Sequence, residues 1–233
     1  PSPEMFASIY EALAATGVDG IVSVHLSSRV SGTVDAARLA ATRVDIPVQV
    51  VDTLQVGLAT GFAAGIAARV SAAGGTIEQV AAAAASTAES SKVFVYVDTL
   101  EHLRRGGRIG RAAALIGAAL SVKPILTIED GLVAPLERVR TSTKAIARLA
   151  DLAVEAAEKL PAGYDIGIQQ LANFEVAQQL GADLARRLGR DSIPVDELGA
   201  DIGAHVGPGT IAVTVSGHEF PQLLREPNRS PQP

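Results

Sequence analysis

Between residues 3 and 90 the apolar positions switch back and forth between helical and strand spacing. Residues 3–17 place apolar side chains at helical intervals after Ser2-Pro3 and stop at Gly17, which predicts an amphipathic helix. GIVSVHL (20–26) is an apolar, β-branched run that reads as a buried strand, and Thr33–Thr42 returns to helical spacing. PVQVV (47–51) predicts a second strand. Residues 56–73 predict a long alanine-rich helix ended by Gly74-Gly75. Thr76 then caps a further helix with an acidic first turn. Strand–helix alternation of this kind predicts a parallel, helix-covered sheet.

The texture changes near Lys92. KVFVYV (92–97) reads as a strand, 99–107 and 112–121 as short helices, and KPILTIEDGLVAPLERV (123–139) as two β runs meeting at Glu129-Asp130-Gly131. Helices are expected at 141–160 and 174–189, with strands at 164–171, 194–198 and 210–216. The polar, proline-rich end is expected to be disordered. The prediction is therefore an α/β chain in two parts. An N-terminal parallel-sheet α/β domain spans 1–90, a C-terminal α+β domain with a mostly antiparallel sheet spans 91–220, and a tail spans 221–233.

Composition narrows the function. With no cysteine, thiolate nucleophiles, disulfides and Cys-based metal sites are excluded. A net charge of −5, with aromatics at 3%, argues against nucleic acid as a partner. No apolar stretch is long enough to predict a membrane span, and no leader pattern opens the chain, so a cytoplasmic location is expected. The first residues, PSPEMF, lack an initiator Met, and a missing beginning is expected.

Three clusters could carry chemistry. The stretch SSRVSGT (27–33) sets Ser27, Ser28, Ser31, Gly32 and Thr33 where a strand turns into a helix. Free backbone N–H groups there, with hydroxyl donors and a glycine that admits close approach, describe a phosphate or carboxylate pocket. An ordinary N-cap with a hydroxyl turn would use only one or two of them. GAHVGPGT (203–210) reads as a shaped loop presenting His205, beside Gly207, as a hydrogen-bond donor or base; a solvent-exposed turn histidine is the plainer reading. LRRGGRIGR (103–111) carries Arg104, Arg105, Arg108 and Arg111 around a glycine turn, either complementing a helix C-terminus or docking an acidic partner. No Walker A, G-x-S-x-G or H-E-x-x-H pattern is present.

Taken together, LSSRVSGT (26–33), the segment 97–140 with its GGRI and KPIL–EDG pattern, GAHVGPG (203–209) and the opening PSP resemble the DegV family of bacterial fatty-acid-binding proteins. The resemblance implies a non-catalytic carrier, without cofactor or metal, that presents a long-chain fatty acid to a separate, dihydroxyacetone-kinase-like fatty acid kinase. It implies carboxylate contacts from Ser28, with Ser27 or Ser31, and from His205. Gly32, Thr33 and Gly207 complete the expected head-group set. Leu115, Ile116, Leu120, Ile125 and Leu126 are expected to line the acyl chain, and Arg104, Arg105, Arg108, Arg111, Arg138 and Arg140 to dock the kinase. A threonine and a first strand that the family carries would lie before residue 1. Two other functions stay open: a serine esterase or thioesterase pairing Ser28 or Ser31 with His205, and a small-anion-binding α/β module.

Overall fold

The computed structural model describes residues 1–115, 123–160 and 163–218. The expected helix end at 116–121 and the tail from 221 therefore lie outside the described residues. The chain begins with α1 (Pro3–Ala14), whose N-cap Ser2 accepts a hydrogen bond from the Met5 N–H. β1 (Ile21–His25), α2 (Thr33–Ala41) and β2 (Val48–Asp52) follow, and β1 pairs with β2 in parallel from Ile21↔Val48 to His25↔Asp52. α3 (Leu58–Ala72) and α4 (Ile77–Ser90) cover this small sheet. Thr76 and Gln79 close a reciprocal capping box at the start of α4, which fixes where that alanine-rich helix begins.

The remaining strands among the described residues belong to a second sheet. β3 (Lys92–Tyr96) is followed by α5 (Glu101–Arg105) and a 3₁₀ turn at Gly110–Leu115. β4 (Lys123–Glu129) and β5 (Leu132–Val139) form the expected hairpin, turning through Asp130 and Gly131, both at positive φ. α6 (Ser142–Glu158), β6 (Tyr164–Gln170), α7 (Phe174–Leu188), β7 (Val195–Glu197), α8 (Ala200–Val206) and β8 (Ile211–Gly217) complete the order. The strand order is β5-β4-β3-β8-β6-β7, antiparallel except for β6 with β7. β8 sits between β3 and β6 and is buried along its whole length, as its unbroken apolar and hydroxyl run requires.

Pleating divides the six-stranded sheet into two chemically different faces. On one, Phe94, Tyr96, Ile125, Ile166, Ile168 and Val213 pack with α6 and α7 into the largest core cluster. On the other, Val93, Val95, Val97, Leu126 and Ala212 point toward the N-terminal half. α3 lies between the two sheets and touches β1 on one side and β6 and β8 on the other.

Beneath α1, Tyr10 donates a hydrogen bond to Ser23 Oγ at 2.7 Å, and Ser23 Oγ lies 2.7 Å from His25 Nε2. The Phe6 ring meets the His25 ring edge-on at 5.1 Å between centroids. Burial pushes the His25 pKa down, with the Asp52 carboxylate partly opposing that shift. The folded value then lies below the unfolded 6.5, so the unfolded chain binds more protons in that window. Stability is complete above 6.5 and falls as pH drops through it. The urea midpoint is expected to decline from about pH 7.5 to about 5.5, and His25→Gln to flatten that decline. Equal slopes in both proteins would show that His25 does not contribute.

Candidate functional site

The hydroxyl loop sits where the sequence places it, after β1 and before α2. Its hydroxyls are not equivalent. Ser27 is fully buried, and its Oγ donates to the Gly131 carbonyl at 2.8 Å. Ser31 and Thr33 share a hydrogen bond at 2.8 Å, and the Thr33 N–H reaches Ser31 Oγ at 3.3 Å. Ser28 donates its backbone N–H to Asp52 Oδ1 at 3.2 Å, while no partner engages its side chain among the described residues. Gly32 is exposed and serves as the N-cap residue of α2 without a side-chain cap.

Ser28, Ser31 and Gly32 form one wall of a polar cleft of about 370 Å³. Gly107, Arg108 and Gly110 form the opposite wall. Arg29 and Arg108 give the cleft two positive charges, and no carboxylate lines it. Arg108 also ties the walls together, donating from Nε to the Val30 carbonyl at 3.2 Å and from Nη1 to the Gly106 carbonyl at 2.8 Å. Such a cleft suits a small anionic group.

His205 lies on α8, a helix where the sequence suggested a glycine-shaped loop. Within it Gly203 is buried and lets α8 lie close to Leu171. α5 and α8 then interlock through two imidazoles. A Cβ on Gly106 would collide with His205 Nδ1, and one on Gly207, at φ +79°, would collide with the His102 ring. Gly207 is thus required by His102 packing and ends α8. Among the described residues the hydroxyl loop and His205 share no hydrogen bond, and the Ser–His hydrogen bond that does exist, Ser23 with His25, is covered by α1.

Beside His205, Val206 enters a narrow apolar cavity on the second face of the large sheet. Val93, Val95, Val97, Leu126 and Ala212 line its floor, and Leu103, Ile202 and Val206 its cover. Val56 and Gly57 reach it from the N-terminal half. Its free volume is about 60 Å³, enough for a few water-sized groups. The residues expected to line an acyl chain divide between this cavity and the opposite face. Leu126 faces the cavity, and Leu115 packs in the cluster around it. Ile125 points the other way into the α6–α7 core, because neighbours on a strand face opposite sides. Ile116 and Leu120 lie outside the described residues. The β3 valines were the missed signal: KVFVYV alternates valines on one face with aromatics on the other.

The α5 turn connects these parts. Leu103 touches the apolar cavity, Gly106 touches His205, and Gly107 and Arg108 line the polar cleft. Within six residues the chain passes from a hydrocarbon-like surface to a polar, cationic one. The other candidate arginines are distributed differently. Arg104 and Arg105 both bind Glu101, whose pKa they pull down to about 2. Arg111 spans Glu129 and Asp130. Arg138 and Arg140 are exposed and make no ion pair among the described residues. No group of three metal-ligating side chains occurs there either, and no helix there is long and apolar enough to cross a membrane.

Comparison with known proteins places this architecture. A family model described as an uncharacterised protein of the DegV family matches residues 1–217. A DegV domain-containing protein of Streptomyces coelicolor is 49% identical over 217 residues, covering 93% of this chain and 76% of the relative. The solved structure described as fatty acid binding of a DegV family protein from Thermus thermophilus superposes with a TM-score of 0.86 at 34% identity, over 93% of this chain and 77% of that one. DegV of Bacillus subtilis, described as a fatty acid binding protein, gives 0.82 at 32%, over 93% and 77%. By sequence and by fold, the chain belongs to the DegV family.

Proposed function

We propose that this protein binds a long-chain fatty acid, holding the carboxylate in the polar cleft and the acyl chain in the apolar cavity. The observation that carries the reading is the α5 turn, which lines an apolar cavity with Leu103 and a cationic, hydroxyl-lined cleft with Gly107 and Arg108. Relatives described as fatty acid binding proteins share the fold.

Energetics divide the work between the two ends. Burying a C16 chain gains at most about 12 kcal/mol at roughly 0.8 kcal/mol per CH₂, and association and ordering costs take back much of it. Hydrogen bonds to a charged head group add about 1.5–3 kcal/mol each. The tail supplies affinity, and the cleft selects an acid. Because the free volume is small, the chain enters by displacing lining side chains and the α8 cover, so ligand and fold are thermodynamically linked.

The protein supplies no catalytic step in this reading. It works in the cytoplasm as a carrier that offers the carboxylate to a separate ATP-dependent fatty acid kinase of the dihydroxyacetone-kinase type. Arg108, Arg138 and Arg140 are the docking candidates whose charge no acidic side chain among the described residues neutralises. Arg104, Arg105 and Arg111 stay exposed but already serve internal ion pairs.

Mass spectrometry of an organic extract of the natively purified protein is expected to show a stoichiometric long-chain fatty acid. An empty extract, with no uptake of added palmitate, would overturn the reading. Ala212→Leu fills the cavity and is expected to lower palmitate affinity at least tenfold, about 1.4 kcal/mol or more, while the Tm stays near that of the parent. Unchanged affinity would remove the chain from this cavity. His205 lines neither the cleft nor the cavity, so the head-group test falls on Arg108: Arg108→Gln is expected to weaken palmitate about tenfold, on the order of one hydrogen bond to a charged group, and to leave methyl palmitate unaffected. Equal losses for acid and ester would take Arg108 away from the head group.

A further inference from the structure

Within the hydroxyl loop, Ser27 differs from its neighbours in having every polar group engaged. Its N–H donates to the Gln55 carbonyl at 2.8 Å, and its carbonyl accepts from the Val30 and Ser31 N–H groups, both at 3.2 Å. Its Oγ accepts from the Arg29 N–H at 3.1 Å and donates to the Gly131 carbonyl at 2.8 Å. A serine hydroxyl has a single hydrogen to donate, and here it goes to the hairpin tip, across 104 residues of sequence. None is left for an anion.

The tip is shaped to receive it. Gly131 sits at φ +77°, and a Cβ there would collide with Ser27 Oγ. Outside the contact, Arg111 holds the tip in place, with Nη1 on Glu129 at 2.6 Å and Nη2 on Asp130 at 2.8 Å. A second tie runs in parallel, from Arg108 to the Val30 carbonyl. Ser28, the next residue, has its backbone held by Asp52 and its side chain on the cleft.

We infer that Ser27 is a positioning residue: it latches the hydroxyl loop to the tip of the β4–β5 hairpin, and so aims Ser28 into the cleft without touching the ligand. This rests on the proposed reading that the cleft holds an acyl carboxylate. The latch turns an otherwise adaptable serine-rich turn into a rigid donor array, and it makes the tip between β4 and β5 part of the head-group site.

The test measures palmitate and methyl palmitate affinities for the full chain and for Ser27→Ala, Ser28→Ala and the double variant. Ser27→Ala is expected to cut the acid-over-ester preference about fivefold, and to cut it no further once Ser28→Ala is present, because both act through one donor. Gly131→Ala, which pushes on the same contact from the other side, is expected to reproduce the loss. Losses that multiply in the double variant would make Ser27 a ligand in its own right and overturn the latch. So would an unchanged preference in Ser27→Ala. A parent protein that binds acid and ester equally would overturn the carboxylate reading itself, and the latch with it. If Ser27→Ala does not fold, Arg111→Ala loosens the tip instead. A reduced acid preference supports the latch, and an unchanged one overturns it.

Discussion

A six-stranded sheet with a central strand buried on both sides must cover two faces, and only one of them has long helices of its own. α6 and α7 close the Phe94 and Tyr96 face into the largest core cluster. The valine face has to use what the rest of the chain provides: α3 and the 52–57 loop from the N-terminal half, and the short α5 and α8 from its own. Short helices cover a sheet incompletely. The cavity follows from that mismatch, and so does its position at the junction of the two halves.

The same constraint explains why glycines gather on α5 and α8. Two short helices can cover the valine face only by lying close together, and each places an imidazole against the other's glycine. The glycines of GAHVGPG suggested a loop shaped for ligand approach. In the fold Gly207 admits His102 of α5, and Gly203 admits Leu171. Composition alone does not separate these cases, because a glycine that admits a ligand and one that admits a neighbouring helix look identical in sequence.

Much of the fold was legible before any coordinates. Period-two and helical spacing located the strands and most helices, and Glu129-Asp130-Gly131 located the hairpin turn, because each of these signals is local. What was not legible depended on faces and partners. KPILT identifies a strand next to the site but does not say whether Ile125 or Leu126 faces the cavity, and adjacent residues cannot both do so. Four hydroxyls in seven residues correctly marked an unusual turn, yet spacing could not tell the hydroxyl bound to Gly131 from the one facing the cleft. That distinction comes from a contact 104 residues away. The alternating valines and aromatics of β3 were readable in principle, since a strand covered by two chemically different layers shows two different side-chain classes.

Charge placement gives the last step. The cleft holds two arginines and no carboxylate, in a protein whose net charge is −5. Elsewhere on the same segment, arginines are matched: Glu101 takes Arg104 and Arg105, and the hairpin tip takes Arg111. Exposed pairs of this kind contribute little to stability. Their consequence is local, since they remove competing positive charge from around the cleft and leave Arg108 as a focused one. A fatty acid binding there would neutralise charge that the fold leaves unpaired, while its chain occupies the volume that short helices leave unfilled. Head and tail would thus each meet a deficit, one of charge and one of filled volume, on either side of the α5 turn.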